Sequence, residues 1–132
     1  MFNKNDFVFI IAGSNDCNCK SSFNFDVEIL KQIAKRTTLY VLNVPERFDC
    51  KDCNNSVSMF NNVLKIKANN EFVCVNLIHI FKRNDYSSHG LHLKFSGKEK
   101  MAKLICNLVY PCPFLQTNMS FLTNRKMIKR RK

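Results

Sequence analysis

The chain has 132 residues, 45% of them hydrophobic, with twelve Phe and no Trp. That length holds one domain, and that apolar share excludes a disordered chain. The formal charge is +11, and no apolar run approaches the ~20 residues needed to cross a bilayer. Met1-Phe2-Asn3-Lys4 has none of the basic start, apolar stretch and cleavage site of a signal peptide. Seven cysteines are an odd number, which fits a reduced interior better than a disulfide framework. The expected setting is therefore intracellular, cytoplasmic or nuclear.

Phe7 to Ala12 is a continuous β-prone run ending at Gly13, the pattern of a strand buried on both faces. A helix is expected over 23–36, with Val27, Ile29, Leu30, Ile33 and Ala34 on one face and Lys31, Lys35 and Arg36 on another. Leu39 to Val44 reads as a second buried strand, stopped by Pro45. Val57, Phe60, Val63 and Leu64 mark a second helix, and Phe72 to Ile78 a third strand, followed by a polar loop from Lys82 to Gly90. Ser96-Gly97-Lys98-Glu99 has the spacing of a capping box. Met101, Leu104, Ile105, Leu108 and Val109 then form a helical stripe that Pro111-Cys112-Pro113 ends. Cys74 and Cys106 fall inside apolar patterns and are expected in the core.

The order is βαβαβ–loop–α, without internal repeats. Strands alternating with helices imply parallel βαβ units in an α/β layered fold, whose sites lie beyond the carboxyl ends of the strands. Three segments reach that rim: 13–20, 45–54 and 79–92. His79, at the end of the third strand, reads as a satisfied core or rim histidine. Cys17-x-Cys19 and Cys50-x-x-Cys53 share the rim; four thiolates there could hold Zn²⁺, but free surface thiols are the favoured reading. Arg125, Lys126, Lys129, Arg130, Arg131 and Lys132 put six basic groups and no acidic one in the last eight residues, so the remainder carries fifteen basic against ten acidic groups, a net +5. Such a tail reads equally well as a contact to RNA or DNA phosphates and as a solvated end.

Gly13-Ser14-Asn15-Asp16, directly after the first strand, and His89-Gly90-Leu91-His92-Leu93, shortly before the last helix, resemble two signatures of the SGNH (GDSL-type) hydrolases. Val44-Pro45-x-Arg47 and the Asn-containing second helix agree with that family. His89 to Leu93 with Gly97-Lys98-Glu99 is similar to esterase-like domains of arthropod and transposable-element proteins. The resemblance covers about residues 7–110. It implies a three-layer flavodoxin-like fold and hydrolysis of acyl esters without a cofactor, in which a His activates a Ser, an Asp orients the His, and Ser, Gly and Asn donors hold the oxyanion.

On that resemblance Asn15 matches the oxyanion Asn, Gly13 the turn glycine and His92 the catalytic base. Ser14 falls on the family's variable turn position. The Gly-Asp-Ser nucleophile turn and the Gly donor find no counterpart ahead of Phe7. His89 stands where the family has its Asp, three residues before His92; Asp85 is a candidate substitute. The expected organisation is a partial SGNH hydrolase-like domain over 1–112 and a basic tail over 113–132. The expected function is an esterase-like domain, inactive alone, whose acyl-ester substrate would need an upstream segment to complete the site. The alternative is a non-catalytic module binding RNA or protein, since this fold can lose its triad and bind RNA. A first strand without the family's neighbouring strand would offer an open edge for self-association.

Overall fold

The computed structural model describes residues 3–14 and 26–111. In chain order these form β1 (Phe7–Ile11), α1 (Val27–Arg36), β2 (Thr38–Leu42), α2 (Cys53–Ala68), β3 (Val73–Val75), a single 3₁₀ turn (Arg83–Asp85) and α3 (Phe95–Val109). The strands lie side by side as β1-β2-β3, every pair parallel. This is an α/β fold built on a three-stranded parallel sheet, as the alternation of elements requires. No helix among the described residues is long and apolar enough to cross a membrane.

The two-residue side-chain period of the strands divides the apolar residues between two cores. Val8, Ile10, Leu39, Val41 and Cys74 face one side, where Val27 and Leu30 of α1 meet Val57, Phe60 and Leu64 of α2. Phe9, Tyr40, Leu42, Val73 and Val75 face the other, against Leu104 and Leu108 of α3 and Leu77, Phe81 and Tyr86 of the preceding connection. Helices thus cover both faces. Phe9 and Tyr40 stack in parallel across neighbouring strands, their ring centres 4.9 Å apart. Val57, Leu64, Val75 and Leu77 are at most 2% exposed, and each such side chain contributes about 1.5–3 kcal/mol of burial.

Several boundaries differ from the sequence pattern for local reasons. Helix α1 begins at Val27 because the Asp26 carboxylate accepts from the Glu28 amide at 2.9 Å and caps it there. Ile29 lies off the stripe set by Val27, Leu30 and Ile33 and is 55% exposed. The expected capping box at Ser96 does not form. Helix α3 starts two residues earlier, at Phe95, and the Ser96 hydroxyl donates to the buried Asp85 carboxylate at 3.2 Å instead. Cys74 is buried as expected, but Cys106 lies on the outer face of α3 and is exposed. Strand β1 is only partly buried, because β2 is its single pairing partner among the described residues.

Candidate functional site at the carboxyl rim

Strand β2 runs out into Asn43 and Val44, and there side chains replace the ladder. The Asn43 amide still donates to Val75 O at 3.0 Å, but its side-chain oxygen then accepts from the Leu77 amide at 2.7 Å. Its Nδ2 donates to Asn76 Oδ1 at 3.0 Å. These contacts replace the ladder where β3 ends, three residues short of the expected Ile78. Asn61 of α2 does the same on the other side: its Oδ1 accepts from Val44 N at 2.9 Å and its Nδ2 donates to Val44 O at 2.8 Å. Both groups of a backbone unit that is 1% exposed are satisfied by one amide.

Between the diverging ends of β1 and β2 lies a crevice of about 420 Å³, lined by Ile11, Ala12, Gly13, Ser14, Asn43, Val44 and Pro45. Gly13 has φ +109°, and a Cβ there would lie 2.9 Å from Val44 Cγ2 and 3.0 Å from the Phe60 ring. Only glycine allows both that backbone and that approach. The Arg47 guanidinium is buried behind this turn. It donates to Ser14 O at 3.4 Å and forms a two-point pair with the Asp49 carboxylate, which it holds below the usual carboxylate range.

The loop carrying His89 and His92 leaves the third strand at the same end of the sheet and is pinned to the β2 loop. The Phe48 amide donates to Gly90 O at 2.9 Å, and the Tyr86 hydroxyl donates to Glu46 O at 2.8 Å. The Tyr86 ring is buried against Phe48 and Phe81, and burial pushes its hydroxyl up to about 12. Gly90, at φ +77°, brings its Cα so close that a Cβ would lie 2.7 Å from Phe48 C and 2.8 Å from Asp49 N. Within the loop the Ser87 amide donates to His92 O at 2.8 Å, and Arg83 donates to Ser87 O and Ser88 O.

Asp85 is the buried anchor of this loop. Its carboxylate accepts from Lys100 Nζ at 2.6 Å, from the Lys82 amide at 2.8 Å and from the Ser96 hydroxyl. These partners, Lys100 first, hold its pKa below the ordinary value. The carboxylate is thus committed to α3 and the 3₁₀ turn. His89 and His92 are both exposed, and neither imidazole has a hydrogen-bond partner among the described residues. His79 also sits exposed at this rim with φ +68°, its Nδ1 3.4 Å from Glu46 Oε1. That ion pair, present when the imidazole is protonated, places His79 at the rim and outside the core.

The residues expected to carry chemistry therefore divide. Gly13 lines the crevice, whereas His89 and His92 occupy the loop clasped to the β2 loop and do not line it. Asn15, Cys17, Cys19 and the basic residues Arg125, Lys126, Lys129, Arg130, Arg131 and Lys132 lie outside the described residues. Cys50 and Cys53 are not free thiols: they are joined as a disulfide. No group of three or more His, Cys, Asp or Glu among the described residues is arranged to hold a metal ion. Sequence reasoning missed Asn43 and Asn61 as the polar frame of the rim and Tyr86 as the pin of the His loop. A signal for the frame was present, since Asn43 and Asn76 each interrupt an otherwise apolar strand. No family model, curated protein or solved structure matches this chain.

Proposed function

We propose that this chain is an SGNH-like module that keeps the turn and base positions of an ester-hydrolase rim and does not turn over acyl esters by itself. The observation that carries this reading is the left-handed Gly13 turn and the clasped His92 loop at the carboxyl end of one parallel sheet. The engagement of Asp85 with Lys100 supports the second half of the proposal. With Asp85 so engaged, His89 holds the position three before His92, and an imidazole does not stabilise the imidazolium that proton transfer creates. The test is turnover of p-nitrophenyl acetate by the purified chain beside His92→Ala. Equal, background rates are expected. Hydrolysis above background that disappears in His92→Ala would overturn the non-catalytic reading, because residues of a triad act as a unit.

A second reading rests on the six basic groups among the last eight residues. In it the tail contacts nucleic-acid phosphates irrespective of sequence. Unrelated RNA and DNA oligomers would then bind alike, with affinity falling steeply as salt rises and lost on deletion of 125–132. Sequence-selective binding that survives the deletion would move the interface to the folded body.

A further inference from the structure

The geometry around Cys50 and Cys53 points to a function separate from ester chemistry: we propose that this pair is a thiol–disulfide exchange site. The two sulfurs are bonded, with only Lys51 and Asp52 between the residues. Their Cα atoms lie 5.3 Å apart, a separation that a disulfide spans without moving the backbone. The turn that sets this separation is held by the chain itself: the Cys53 amide donates to Cys50 O at 3.2 Å and the Asn54 amide to Lys51 O at 3.1 Å. Oxidised and reduced forms therefore fit one backbone. A bridge closing so short a loop restricts the unfolded chain least, which makes it a weak staple. Both cysteines are partly exposed, so a thiol can reach them, in contrast to the buried Cys74, whose thiol burial pushes up to about 11.

Cys53 is the first residue of α2, whereas Cys50 stands ahead of it at the start of the turn that feeds the helix. In the reductive direction a partner thiolate attacks one sulfur of the pair, the Cys50–Cys53 bond breaks, and the other sulfur leaves as a thiolate that takes up a proton. A second partner thiolate then attacks the partner sulfur of the mixed disulfide and releases the remaining cysteine. Two partner thiols become one disulfide, and the two electrons reduce the pair to a dithiol.

The exchange site also adjoins the clasp. Phe48 and Asp49, against which Gly90 packs, directly precede Cys50. The redox state is thus written next to the loop that carries His92.

The chain carries its own reporter for the test. Lys51 lies between the cysteines, so trypsin yields Phe48–Lys51 and Asp52–Lys65, which stay joined only while the disulfide is intact. The purified full chain is equilibrated in buffers of reduced and oxidised glutathione, acid-quenched, alkylated, digested and weighed. A reversible transition between joined and separate peptides is expected, with unchanged far-ultraviolet circular dichroism. Cys53→Ser and Cys50→Ser are each expected to trap one glutathione on the remaining cysteine. A pair that stays joined under a hundredfold excess of reduced glutathione would show a structural bridge and overturn the proposal. So would peptides that remain separate in fully oxidised glutathione. Single variants that trap no glutathione would likewise overturn it.

Discussion

Replacing Asn61 by Ala removes both hydrogen bonds that close the backbone of Val44 at the end of β2. Val44 is 1% and Asn61 7% exposed, so no solvent stands by to replace them. An unsatisfied buried donor or acceptor costs about 1–3 kcal/mol, and two together cost roughly 2–6 kcal/mol. That is a large share of the ~5–15 kcal/mol typical of a whole domain. Asn54 supplies an internal control, because it makes the same two-point contact with another residue. Its Oδ1 accepts from Arg47 N at 2.8 Å and its Nδ2 donates to Arg47 O at 2.9 Å, but in a part-buried setting that water can enter. Asn54→Ala should therefore cost less, about 1–3 kcal/mol, the net value of two ordinary hydrogen bonds. Urea unfolding of both variants at constant slope gives the two differences. Equal costs, or a cost for Asn61→Ala below that for Asn54→Ala, would refute the argument that burial sets the value of this amide. Hydrogen exchange of the Val44 amide should accelerate in Asn61→Ala and stay unchanged in Asn54→Ala.

Gly90→Ala forces a Cβ within 2.8 Å of two backbone atoms of the β2 loop at a positive φ. It should destabilise by about 1–3 kcal/mol, as strained backbone does, and raise the exchange rate of the Phe48 amide; a Phe48 amide as protected as in the wild type would disprove the clasp. The Asp85 carboxylate titrates below its ordinary value because Lys100, the Lys82 amide and Ser96 favour the charged form. Its contribution is therefore complete above the unfolded value of about 3.9 and is lost as pH falls through the lower folded value. Urea midpoints of the wild type should drop more steeply over that acid range than those of Asp85→Asn, and parallel curves would remove Asp85 as the cause.

What the residues determined by themselves was the layered α/β arrangement. Continuous β-prone apolar runs such as Phe7 to Ile11 and period-3.6 stripes such as Leu104 and Leu108 are local properties, and burial of each follows from the side chains it presents. The rim segments were legible for the same reason, since parallel strands must end somewhere and their connections must leave from there. The ends of the elements were not. Where β3 stops depends on Asn43 of another strand reaching the Leu77 amide 34 positions away. Whether Ser96 caps its own helix depends on Asp85, which competes for the hydroxyl from across a loop. The role of Asp85 was likewise decided in three dimensions, because an ion pair with Lys100 fifteen residues on outranks a partner on the same loop. Two cysteines three apart allowed a thiol pair, a metal ligand set or a bridge. The turn leading into α2 chose the bridge, because it holds their Cα atoms at a disulfide's reach. Long-range hydrogen bonds and charge pairs have no period in the sequence, and only the folded chain brings their partners within range.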